Sequence, residues 1–386
     1  MGIARLGVAV SGPVHLDVRP VAAPWVRGAA GLDPSGGDDG GRGSDMQWHL
    51  AAFAVDSGAY GAFDPGGGGR SHGNCCGTGT DTGHSNFGAL FGEADMTSLL
   101  KKLITNDPQV AAFAVANGVG RIMVDIERLG KVERQAGRST VISDHHISDV
   151  VRIRAAVPEA DILLRINPWH DCSPAEIAEG IAAGADHIML PMVRDHHEVA
   201  AATACLKGSR VGLVPLIETP AAMSRLESIV RVAGVSEIYI GLNDLHLGLG
   251  LTFMFEIVAG CLLDHMAGIV RDARLPFGFG GIATLGGGAV PAELVLAEHR
   301  RLGSTRVILS RAFSRGATTV EDFRAANLAG ELGRINLEWE ALAGADLENK
   351  HRELQAAVQR HLTFQAGQAG QAGQAGQAVT AEAPLC

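Results

Sequence analysis

Between Met96 and Phe313, short apolar runs alternate with helix-like stretches, and that alternation limits the fold more than any other feature of the chain. The runs are Leu99–Ile104, Arg121–Glu127, Asp161–Asn167, His187–Val193, Val211–Thr219, Glu237–Leu245, Pro276–Gly280 and Arg306–Ser310. Near-continuous Val, Ile and Leu in such short runs predicts parallel strands covered on both faces. Between them, helix starts carry a capping residue and a first-turn proline, as at Asp107-Pro108, Ser173-Pro174 and Thr219-Pro220, and helices stop at Gly118, Gly184, Gly234 and Gly303. The helices are expected near 148–157, 198–206, 221–232, 253–271 and 291–302, with others opening at Asn106-Asp107-Pro108, after Ser173-Pro174 and at Val320. Sequential right-handed β/α units of this number predict a TIM (β/α)8 barrel.

Four zones follow. Residues 1–95 are rich in Gly, Ala, Asp and Ser, include Asp64-Pro65-Gly66-Gly67-Gly68-Gly69 and lack a sustained period, so a disordered leader is expected, with the functional protein opening near Met96. The barrel is assigned to 96–318 and a C-terminal helical extension to 319–362, with a turn near Ala343-Gly344-Ala345. Residues 363–386, with their Gln-Ala-Gly repeat, are expected to be a flexible tail.

Composition excludes some classes. A net charge of -10 and no basic stripe argue against nucleic acid, and no apolar run approaches the roughly 20 residues of a membrane span. The six cysteines include one vicinal pair, Cys75-Cys76, but no zinc-site spacing and no disulfide framework. With no signal-peptide pattern at the N-terminus, a cytoplasmic protein is expected.

Glu218 and Asp244 each follow an apolar run, where an α/β barrel places its chemistry. Either could cap the next helix, although Thr219 already supplies one cap. Together they suit a hard divalent ion such as Mg2+ or Mn2+. Other rim candidates are Arg165, Asp125, Glu127 and the glycine-rich stretch 278–288. Asp125 and Glu127 could equally form ion pairs with Arg128, Lys131 or Arg134, and Arg165 a rim salt bridge. Gly280 and Gly281 could cradle a phosphate or simply form a tight turn, and Ser310-Arg311 could add an anion contact.

The segments 184–193, Ile217-Glu218-Thr219, Ile240-Gly241-Leu242-Asn243-Asp244-Leu245 and Leu164-Arg165-Ile166-Asn167-Pro168 resemble the HpcH/HpaI aldolase/citrate lyase β-subunit family, in order from Met96 to about Phe313. The resemblance implies a TIM barrel of the phosphoenolpyruvate/pyruvate-binding superfamily and a carbon–carbon lyase using Mg2+, Mn2+ or Co2+. It places Glu218 and Asp244 on metal-ligand positions and matches Arg165 to the arginine that holds the pyruvoyl oxygen and enolate. It assigns Asp125 and Glu127 to metal-bound water or to orienting the site. The implied partners are a 2-oxo acid with an aldehyde or an acyl-thioester, in a homo-oligomer.

Two departures stand out. Arg128 occupies the place of the aldolases' usual histidine, and Leu216 that of a glutamine. Candidate replacement bases are His246, His145, His146 and His170, since histidine is the natural proton carrier near neutrality. The reading is therefore a metal-dependent lyase cleaving or forming a bond beside a 2-oxo acid. The alternatives are a citrate-lyase-like acyl-CoA lyase and a non-catalytic 2-oxo-acid-binding barrel.

Overall fold

The computed structural model describes residues 98–134 and 143–378. The expected leader, 1–95, and the end of the tail, 379–386, lie outside the described residues. Eight parallel strands close a barrel in sequence order: β1 Leu100–Ile104, β2 Arg121–Asp125, β3 Ile162–Arg165, β4 His187–Leu190, β5 Gly212–Ile217, β6 Ile238–Ile240, β7 Phe277–Ile282 and β8 Arg306–Leu309. The TIM barrel is thus present, with the expected helices between its strands.

The strands read as nearly continuous apolar runs because both faces are covered. Outward residues such as Ile122, Leu164, Ile188 and Leu213 pack under the helices, while Met123, Leu163, Met189, Val214, Leu216 and Tyr239 fill the barrel. Side chains alternate along a strand, so the interior is layered. Two residues before this apolar middle come Arg121, Glu237 and Arg306; two residues beyond it come Asp125, Arg165 and Glu218. The first set closes the N-terminal end of the barrel, joined by Lys102 from β1. Glu237 pairs there with Lys102, with Arg121 at 2.8 Å and with Arg306 at 3.2 Å. The Lys102 ammonium also sits 4.3 Å from the centre of the Tyr239 ring. The second set opens onto the C-terminal mouth.

Local signals act as expected at many boundaries. Asp107 accepts from the Gln109 and Val110 amides, and Thr219 from Ala222, capping their helices. Gly184 and Gly303 end theirs in the left-handed region, with φ of 94° and 74°.

Three expectations need correction. The sixth run stops as a strand at Ile240; Gly241 then caps a helix, Leu242–Gly248, that carries Asp244 in its first turn. The stretch 221–232 forms two short helices, Pro220–Ser224 and Leu226–Ile229, with Arg225 between them outside helical geometry. The stretch 253–271 is likewise divided into Glu256–Ala259 and Leu262–Asp272, because Gly260 ends the first and Cys261 turns left-handed at φ 62°. The C-terminal helix runs from Leu347 to Ala378.

The C-terminal extension begins at Val320, where Thr319 and Asp322 form a reciprocal capping box. Its helices, Val320–Ala325, Leu328–Ala341 and Leu347–Ala378, bury Phe323, Leu332, Ile335, Trp339 and Leu354. No helix among the described residues is long and apolar enough to cross a membrane.

Candidate active site

A cavity of about 580 Å³ opens at the C-terminal mouth of the barrel. Asp125, Glu127, Arg165, Glu218, Asp244, Gly280, Gly281 and Ser310 all line it, and Met123, Met189, Leu216 and Tyr239 form its apolar floor. The barrel mouth therefore brings these eight residues picked out by sequence, and Arg311 with them, to one cavity.

Asp125 and Arg165 are register partners on β2 and β3, so their side chains leave the sheet on the same side. Asp125 Oδ1 and Oδ2 accept from Arg165 Nε and Nη2, at 2.7 Å each. Oδ2 also accepts from Ser143 at 2.9 Å and Lys131 at 3.2 Å, while Oδ1 takes the Glu127 amide at 3.2 Å. Burial opposes ionisation of Asp125, but the Arg165 charge, helped by Lys131 and Ser143, outweighs it and holds the carboxyl well below the usual range. So loaded, Asp125 is an orienting group with little basicity. Burial likewise disfavours the Arg165 cation, and Asp125 and then Glu127 more than compensate, so Arg165 stays protonated. Its Nη1 lies 3.4 Å from Glu127, and the guanidinium still faces the cavity.

Glu127 is buried between cations: Lys131 Nζ is 3.3 Å away and Arg134 Nη2 donates at 2.5 Å. The ion-pair alternative therefore holds for Lys131 and Arg134. Arg128 instead faces outward, exposed and paired with Asp144 at 3.2 Å.

Glu218 differs in kind. Its Oε1 accepts from the Met192 amide at 2.9 Å. Burial, then the like charges of Glu127 and Asp244, push the carboxyl up to about 8; Arg165 and the Met192 amide act against them without cancelling the effect. Gly241 makes room for it, because a Cβ there would come within 2.8 Å of Glu218 Oε2. A buried carboxyl with an acidic neighbour and a cavity in front is one that a cation would ionise, so this donor set fits a hard divalent ion. Among the described residues no group of three His, Cys, Asp or Glu side chains is arranged to hold an ion. Glu218 and Asp244 would leave its other positions to water and substrate, as Mg2+ commonly requires. Arg134 Nε stands 3.7 Å from Asp244 Oδ1.

The candidate histidines fall elsewhere. His246 is buried, with Nδ1 3.2 Å from the Leu242 carbonyl one helical turn back, and it does not line the cavity. None of the other proposed bases lines it either. His145 Nδ1 accepts the Asp125 amide at 3.0 Å, and His170 Nδ1 lies within 3.0 Å of both Pro168 O and Ser173 Oγ. At the glycine-rich wall, Tyr239 donates to the Gly280 carbonyl at 2.8 Å, and Ser310 Oγ caps the short helix Arg311–Ser314 by accepting the Phe313 amide at 3.3 Å.

Sequence reasoning missed Lys131 as a site residue. It is buried, it lines the cavity, and its ammonium bridges Asp125 and Glu127. Glu127 and Lys131 are four residues apart, but it is a non-helical turn over residues 126–130 that brings them together.

The HpcH/HpaI aldolase/citrate lyase family model matches residues 103–256. No curated protein matches the chain. Among solved structures, the chain is similar to an HpcH/HpaI aldolase/citrate lyase family protein from Burkholderia cenocepacia J2315, at 13% identity and TM-score 0.46 over 64% of this chain and 99% of that one. It is similar to an HpcH/HpaI aldolase from Desulfitobacterium hafniense DCB-2, at 12% identity and TM-score 0.44 over 61% and 92%. It is also similar to citrate synthase SbnG, at 14% identity and TM-score 0.43 over 63% and 96%. At these identities and TM-scores the structural likenesses carry no argument about function.

Proposed function

We propose that the chain, whose residues 103–256 match the HpcH/HpaI aldolase/citrate lyase family model, is a divalent-metal-dependent carbon–carbon lyase acting beside a 2-oxo acid such as pyruvate. The observation that carries this reading is the convergence of Arg165, Glu218 and Asp244 on one cavity at the C-terminal mouth of the barrel.

Glu218 and Asp244 would hold Mg2+, Mn2+ or Co2+, which when bound acts as a Lewis acid on the substrate's carbonyl oxygen. The protein's own residues do the rest. Arg165, fixed by Asp125, directs its remaining N–H groups at the charge that grows on the 2-oxo oxygen as the enolate forms. The floor of Met123, Met189 and Leu216 keeps water from beneath the reacting carbons. Lys131 holds the Asp125 and Glu127 carboxylates in place beside Arg165, its ammonium bridging the two.

The test is pyruvate release from a panel of 4-hydroxy-2-oxo acids, before and after EDTA treatment and after Mg2+ or Mn2+ is added back. Chelation is expected to abolish release and the metal to restore it. Full activity after exhaustive chelation overturns the metal requirement.

A second reading is an acyl-thioester lyase. Two observations favour it: no described histidine lines the cavity, and the cavity continues past the acid cluster to Ser314, Thr318 and Phe323, leaving room beyond a three-carbon acid. Release of acyl-CoA, with no pyruvate formed from any hydroxy-oxo acid, would select it.

A further inference from the structure

None of the residues that line the barrel mouth takes part in a second cluster, where the helix Leu262–Asp272 starts beside the C-terminal helix. Cys261 Sγ lies 4.0 Å from His351 Nε2, and His351 Nδ1 lies 2.8 Å from Glu298 Oε1. Glu298 is fully buried and His351 nearly so, while Cys261 is exposed. Arg301 clamps Glu298 from its other side, with Nη2 at 2.9 Å, and ties it to Asp264 at 2.6 Å. The carboxylate is therefore held rigidly, and it fixes the imidazole with Nδ1 donating to Glu298 and Nε2 turned to the thiol as an acceptor. Nucleophile, base and orienting carboxylate stand in the order that activates a weak nucleophile.

Cys261 also precedes an 11-residue helix as its N-cap. The first amides of a helix have no partner within it, and they favour negative charge on an adjacent sulfur. The groups facing the thiol are Asp264, Glu298 and Glu348 on the acidic side and Arg301 on the basic side. Burial and then Asp264 push the thiol up, with Arg301 opposing. The thiol therefore depends on His351 to remove its proton.

We propose that Cys261, His351 and Glu298 form a reactive-thiol site that undergoes exchange with low-molecular-weight disulfides. His351 Nε2 takes the thiol proton and the Cys261 sulfur attacks one sulfur of the disulfide. A protein–small-molecule S–S bond forms as the original S–S bond breaks. The departing thiolate then collects the proton from His351, so the small disulfide is itself the oxidant and nothing else is consumed. The site is independent of the lyase chemistry proposed above.

Cys172 supplies an internal control, being exposed and also an N-cap residue, of the helix Ser173–Ala183. The full-length protein is incubated with oxidised glutathione at neutral pH, and each cysteine is followed by peptide mass spectrometry. Cys261 is expected to be modified at least about tenfold faster than Cys172. His351→Gln should bring Cys261 down to the Cys172 rate, and Glu298→Gln should move it in the same direction. An equal or slower rate at Cys261 in the unmutated protein overturns the proposal. So does an unchanged Cys261 rate in His351→Gln protein shown by circular dichroism to be folded. Should that variant not fold, the comparison of Cys261 with Cys172 in the unmutated protein decides alone.

Discussion

Asp125 and Arg165 face each other across β2 and β3 as register partners, joined by two hydrogen bonds of 2.7 Å. The pairing links the floor of the cavity to its charge: the guanidinium that would meet the substrate is held by a neighbouring strand. Asp125→Asn keeps the shape and removes the charge. Truncating one partner of a buried ion pair costs about 3–5 kcal/mol, so a clear drop in urea midpoint is expected, within that range as an upper limit because the asparagine retains an acceptor. Arg165→Lys loses the fork, and kcat should fall roughly 10²–10³-fold, as when one donor to a developing oxyanion is removed. Wild-type kcat in Arg165→Lys would remove the arginine from the chemistry.

Glu218 links metal affinity to pH. Its carboxyl is pushed up to about 8, so below that value it holds a proton that an incoming ion must displace. Affinity for Mn2+ is expected to rise with pH below about 8 and to level off above it, with proton release on binding near neutrality. Titration calorimetry in two buffers of different ionisation enthalpy measures both. Glu218→Gln should weaken binding and flatten the pH dependence; a Gln variant that binds as the parent does would exclude Glu218 as a ligand.

Lys131 lines the cavity, whereas His246, a candidate base from sequence, does not. Lys131→Met should lower kcat, because it removes the cation that holds Asp125 and Glu127 beside Arg165, while leaving Mn2+ affinity close to the parent's. His246→Gln should retain most of the activity, because the imidazole is turned back on its own helix and does not line the cavity. The reverse ranking of the two variants, in steady-state rates, would overturn this assignment.

Glu237 ties together Lys102, Arg121 and Arg306 at the closed end of the barrel. Burial opposes its charge, but Lys102, Arg121 and Arg306 outweigh burial and hold the carboxyl far below the usual range. A carboxyl depressed in the folded state adds stability that is present above its unfolded value of 4.5 and is lost as pH falls below it. Glu237→Gln leaves three buried cations short of their shared anion, and should cost about 3–5 kcal/mol at neutral pH. Urea unfolding at neutral and acid pH should show the variant's deficit shrinking as the parent's carboxylate is protonated. A deficit independent of pH would assign the loss to packing.

The barrel was legible in the sequence because its cause is local. Each strand is an apolar run of few residues and several helices carry their own cap, so Leu100–Ile104 or Pro108–Ala116 can be placed without knowing what lies beside it. Strand-tip logic also placed Glu218, Asp244, Arg165, Asp125 and Glu127 at one mouth. Partner choice was not legible. Whether Asp125 takes Arg165, Lys131 or Arg128 depends on strand register and on where Lys131 and Ser143 come to lie, and Coulomb attraction is indifferent to sequence distance. His246, two residues after Asp244, looked close to the site, yet a helix beginning at Leu242 turns it inward. Cys261, His351 and Glu298 show the same limit at greater range: they come from three helices, and each alone gives no signal. What the sequence determined is the period of the elements and the residues at their ends. What tertiary structure decided is which charges are buried together, because burial lowers the dielectric around them and makes each pairing count.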